Sequence, residues 1–88
     1  MKIKDGFAMR NIAGSNIVVP VGGKANEFNG MITLNETGGF LWQCFQQDIT
    51  EEKAVQLLTA EYAVDEIRAG ADISKFVELL RKNDLLDE

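Results

Sequence analysis

Histidine is absent from this chain of 88 residues, and cysteine occurs once. The first fact removes the commonest general base, the serine–histidine triads and most zinc constellations. Cys44 stands between Trp42 and Phe45 with no base or cation beside it in sequence. That is the setting of a small buried hydrophobe, not of a nucleophile. The adjacent carboxylates Glu51-Glu52 and Asp65-Glu66 fall where helices are expected to begin, and capping and the helix dipole account for them. Gly22-Gly23-Lys24 has neither the spacing of a phosphate loop nor a following Lys-Ser/Thr pair. No active site emerges, and neither cofactor nor metal is expected.

The remaining chemistry belongs to the main chain and to one helix face. From Phe28 to Asn35 there is no charged side chain, in a chain that is 26% charged. Gly30 to Leu34 has the composition of a short strand, with Met, Ile and Thr suited to a pleated surface and glycine to a bend. Nothing in it discourages pairing with another chain, whereas exposed edges are usually blunted by Lys, Pro or a bulge. Two readings follow: a strand covered by one of the protein's own helices, or an edge that takes up an extended peptide. On the second, Met31, Ile32, Thr33 and Leu34 are the docking residues. The helix face belongs to the last helix, where Arg68, Asp72, Lys75, Leu79 and Lys82 form a row at three- and four-residue spacing. Leu79 offers an apolar contact, and Asp72 and Lys75 offer charges. The same row also fits a solvated face with an ordinary surface leucine.

The elements that must position these groups follow from pattern. Phe7 to Ile12 reads as a strand of imperfect alternation, Ala13-Gly14-Ser15-Asn16 as a hairpin turn, and Asn16 to Pro20 as a second strand. The continuous Ile17-Val18-Val19 run suggests burial on both faces or a central place, and Pro20 should end the strand or mark an edge. Gly22 to Asn26 is the next connection. Asn35 has the side chain to cap a helix from about Glu36 to Gln46, entered from the third strand with almost no loop. Thr50 caps a second, from about Glu51 to Tyr62, and Asp65 a third, from about Glu66 to Asn83. Ile73, Phe76, Val77 and Leu80 are the core stripe of that third helix, which Gly70 weakens by roughly 1 kcal/mol relative to alanine. Asp87-Glu88 reads as a frayed acidic end. A single α+β domain spanning residues 1–88 is expected, a three-stranded antiparallel sheet followed by three helices packed on one face.

The run Phe28-Asn29-Gly30-Met31-Ile32-Thr33-Leu34-Asn35-Glu36-Thr37-Gly38-Gly39-Phe40-Leu41-Trp42 closely resembles the signature of the PqqD family, small proteins and domains also called RiPP recognition elements. The likeness extends to Gly6-Phe7, Ile17 to Pro20, Thr50-Glu51-Glu52, Tyr62-Ala63-Val64-Asp65, Phe76 to Leu80 and Leu85-Leu86. The resemblance implies a winged-helix-like fold without catalysis. It also implies that the leader segment of a ribosomally made precursor peptide adds as a strand alongside the third strand, in the groove beside the third helix. Phe76 then joins the peptide-binding candidates. The implied partners are the precursor and a modifying enzyme, such as a radical SAM maturase or a leader peptidase, in PQQ or other peptide-natural-product biosynthesis.

Charge bears on the alternative that a winged-helix shape brings, a DNA-binding transcriptional regulator. Residues 1–34 carry Lys2, Lys4, Arg10 and Lys24 against Asp5 and Glu27, while residues 35–88 carry five bases against twelve acids. The third helix is neutral, its cations interspersed with Glu66, Asp72, Glu78 and Asp84. A nucleic-acid footprint needs a basic stripe and a reading face of Arg, Lys, Asn or Gln, so no nucleic-acid partner is expected. The acidic helical half would favour a partner with basic residues, or it is simply a solvated face. The lone cysteine suits a reducing compartment. No basic start precedes an apolar run, and no run approaches membrane-spanning length, so the expectation is a cytoplasmic protein without membrane contact.

Overall fold

The computed structural model describes residues 1–22 and 32–88. Its centre is a hairpin. β2 (Phe7–Ile12) and β3 (Ser15–Pro20) are joined by Ala13 and Gly14, both at positive φ, 53° and 85°. Two consecutive positive φ values make the turn whose twist matches that of the flanking strands. β4 (Ile32–Leu34) pairs antiparallel with β3, so the strand order is β2-β3-β4. Gly30 and Met31, which the sequence assigns to this strand, and most of the Gly22 to Asn26 connection lie outside the described residues.

β3 takes the central place that its Ile17-Val18-Val19 run suggests, but it is not buried on both faces. Val18 is wholly buried with the core, while Ile17 and Val19, on the opposite face, are only half-buried. The core lies on one side of the sheet. β-Branched residues there satisfy strand propensity and shelter each other across strands, which needs no second layer.

The three helices begin where their caps predict. Asn35 Oδ1 accepts the Gly38 N–H at 2.7 Å ahead of α1 (Glu36–Cys44). Thr50 Oγ1 accepts the Lys53 N–H at 3.0 Å ahead of α2 (Glu51–Glu61), and Asp65 Oδ1 the Arg68 N–H at 2.7 Å ahead of α3 (Glu66–Lys82). Each bond satisfies one of the amide donors that a helix start leaves without an intrahelical partner. One cluster joins all three helices to the sheet: Leu41, Phe45, Leu58, Ile73, Val77 and Leu80 are almost fully buried together with Val18. The rings of Phe45 and Phe76 meet at 5.5 Å. Gly39 lets α1 approach the sheet closely, since a Cβ at this position would lie 2.5 Å from Asn16 Nδ2.

The chain ends correct the sequence reading. The carboxy-terminal residues are no frayed end: β5 (Leu86–Asp87) pairs antiparallel with β1 (Lys2–Ile3). Buried Ile3, Leu85 and Leu86 anchor this small second sheet to the core. The Lys4 N–H donates to the Leu85 carbonyl at 2.8 Å, and the Glu88 carboxylate accepts from Arg81 through Nε at 3.1 Å and Nη2 at 2.7 Å. The guanidinium holds the Glu88 carboxyl below its ordinary range. Two-residue strands are too short to have a period, and apolar side chains supplied by opposite chain ends decide their pairing. Among the described residues, no helix is long and apolar enough to cross a membrane.

Candidate functional site

β4 is an edge strand, and the hairpin turn decides which way its backbone faces. In a two-residue hairpin the pair closing the turn, Ile12 and Ser15, exchanges both hydrogen bonds, and bonded and non-bonded pairs then alternate. Phe7↔Pro20 falls at a non-bonded pair, where the missing proline N–H leaves no gap in the ladder. Just beyond, the Val21 N–H donates to the Gly6 carbonyl at 2.8 Å, as the alternation demands. Ser15, Ile17 and Val19 therefore direct their backbone groups toward β2, and Asn16 and Val18 toward β4. Register with β4 is Asn16↔Leu34, Ile17↔Thr33, Val18↔Ile32. Ile32 and Leu34 thus bond inward to β3, and the N–H and C=O of Thr33 face the open edge.

That edge is one wall of a groove of about 240 Å³. Thr33 and Leu34 line it from β4; Arg68, Asp72, Lys75, Phe76 and Leu79 line it from α3. α3 therefore does not close over the strand, and the reading in which a helix covers the edge does not hold along these residues. Phe76 and Leu34 are buried at the groove's base, Leu79 is half-buried, and Thr33, Arg68 and Lys75 are exposed. Of the other residues singled out from the sequence, Ile32 faces the core, Lys82 is exposed and lies outside the groove lining, and Met31 is outside the described residues.

Sequence reasoning missed the floor. Asn35, Thr37, Gly38 and Leu41, from the first turns of α1, also line the groove. The signal was present: a strand that runs into a capped helix without a loop must place that helix's first turn at the strand's end. Gly38 fits tightly there, since a Cβ would sit 3.2 Å from both Leu34 Cβ and Asn35 Oδ1.

The electrostatics are simple. Arg68 Nε lies 3.7 Å from Asp72 Oδ2, an i,i+4 pair worth a few tenths of a kcal/mol. Lys75 has no ion-pair partner among the described residues, so the groove's local charge is positive although the helical half is strongly acidic. Elsewhere, burial pushes the Cys44 thiol up, which keeps it protonated, and no described cluster of acidic or cysteine side chains could hold a metal ion. The groove offers main-chain hydrogen bonds on one side, an apolar base and a few charges on the other. This is equipment for holding an extended chain.

No curated protein matches the chain. Among solved structures, it is similar to TbiB1 in complex with the TbiA(beta) leader peptide, at 23% sequence identity and a TM-score of 0.76. That likeness covers 99% of this chain and 95% of the other, and it extends to the whole fold. The family model described as coenzyme PQQ synthesis protein D (PqqD) matches residues 16–86, from β3 through β5. The chain belongs to the PqqD family.

Proposed function

We propose that this protein is a non-catalytic binding protein that holds the leader segment of a ribosomally made precursor peptide by strand addition. The leader pairs with the open edge of β4 and is presented to a modifying enzyme, such as a radical SAM maturase or a leader peptidase. The observation that carries this reading is an uncharged edge strand whose Thr33 backbone faces a groove walled by α3. Main-chain pairing supplies affinity and the pockets along the helix supply selection. The similar structure of TbiB1 with a leader peptide adds support.

A DNA-binding regulator has no comparable support. Two cations of α3 are tied up, Arg68 with Asp72 and Arg81 with Glu88, and with Glu66, Asp72 and Glu78 interspersed among its four cations the helix has no basic stripe to offer a phosphate backbone. The two readings separate in one calorimetric experiment. The probe is a synthetic peptide with the leader sequence of a cognate precursor, titrated at 50 and 200 mM salt. One-to-one binding that weakens only modestly with salt is the expected result. No binding overturns the reading, and a steep salt dependence with duplex DNA in place of the peptide favours the regulator.

A further inference from the structure

The groove specifies a spacing between two kinds of side chain. Its lining on α3 runs from Arg68 to Leu79, so its long axis follows three turns of the helix. Four residues of helix advance about 6 Å. Two residues of an extended strand advance about 6.8 Å, and alternate side chains point the same way. A peptide paired with Thr33 therefore presents every second side chain to α3 at nearly the interval of one helical turn.

Along that axis the chemistry changes by one such step. Leu79 is half-buried over the apolar core and stands beside Phe76. One turn earlier, Lys75 is exposed in the groove without an ion-pair partner among the described residues. One turn before that, Asp72 is engaged by Arg68. An apolar side chain over Leu79 and Phe76 places the side chain two residues away beside Lys75. Of the acids within a turn of Lys75, Asp72 is engaged by Arg68 and Glu78 is exposed outside the groove lining, and charges beyond a Debye length of about 8 Å are largely screened at physiological salt.

We propose that the peptides this groove selects carry an apolar residue and an Asp or Glu two positions apart, with Lys75 as the residue that reads the acid. This rests on the strand-addition reading and adds to it the chemical class of peptide and the residue that discriminates. It also reverses the expectation of a basic partner drawn from overall charge, because the three charged side chains at the groove, Arg68, Asp72 and Lys75, outweigh the remote surface.

The test needs no known precursor. A displayed library of random decapeptides is selected separately on immobilised wild-type protein, Lys75→Glu and Thr33→Pro. Peptides recovered on wild type and lost on Thr33→Pro should be enriched in an apolar residue with Asp or Glu at spacing two. Lys75→Glu should keep the apolar preference and exchange the acid for Lys or Arg. It should also bind a wild-type-selected peptide at least about tenfold more weakly, about 1.4 kcal/mol. Thr33-dependent peptides with no acid at that spacing, or a Lys75→Glu selection identical to wild type, overturn the spacing rule and leave strand addition standing. A library with no Thr33-dependent peptide overturns strand addition and the rule with it.

Discussion

The sheet has two outer strands, and they differ in what lies beside them. β2 is six residues long, carries Arg10 in its middle, and lies at the far side of the sheet from α3. The same alternation that turns Thr33 outward on β4 turns Met9 and Asn11 outward on β2. A cation in an edge strand discourages another chain from pairing. β4 is three residues long and uncharged, and α3 runs alongside it across a groove. Outward-facing backbone is common to both edges, at Thr33 on β4 and at Met9 and Asn11 on β2; among the described residues, only the β4 edge has a second wall. An edge with a wall can hold side chains as well as main chain, which turns generic stickiness into selection.

The largest expected effect tests this contrast directly. Thr33→Pro deletes the outward donor on β4 and obstructs an added strand, while the bonds from Ile32 and Leu34 to β3 remain. It should weaken leader binding at least about tenfold, about 1.4 kcal/mol, with a melting temperature near wild type. Asn11→Pro does the same to β2, and titration should find its affinity unchanged. Equal losses from the two would show that the wall is irrelevant.

A second pair of variants probes the wall. Leu79→Glu puts a charge against the apolar base of the groove and should weaken leader binding roughly tenfold. Ile67, also on α3, is 87% exposed and outside the groove lining. Ile67→Glu should leave affinity within twofold, as read by fluorescence anisotropy. If Leu79→Glu binds normally, the leucine is an ordinary surface residue and the peptide lies elsewhere.

Smaller effects sharpen the comparison by separating stability from binding. Cys44→Ala removes a buried thiol from α1 and should cost about 1 kcal/mol in urea unfolding, with leader affinity retained. Lost binding at an unchanged denaturation midpoint would make the thiol functional. Gly70→Ala should stabilise by up to about 1 kcal/mol, since an added Cβ there meets nothing within 4 Å and glycine is a poor helix former. Thermal unfolding decides it; a lower midpoint would mean that the glycine has a role the packing does not reveal.

The sequence by itself determined the local structure. The caps at Asn35, Thr50 and Asp65, the hairpin around Gly14, the stop at Pro20 and the core stripe of α3 all depend on groups within a few residues of each other, and each formed where its residue types placed it. The signature around Leu34 to Trp42 carried the family for the same reason: it is a contiguous run. Tertiary structure decided what depends on residues far apart. The parity of β4 comes from its register on β3, and a one-residue slip would have turned Thr33 inward. The β1–β5 sheet joins residues more than eighty positions apart through strands too short for any period. The floor of the groove comes from α1, and the availability of Lys75 from Arg68 having taken Asp72. Composition predicts how many charges a helix carries; only the folded chain settles which of them is already paired.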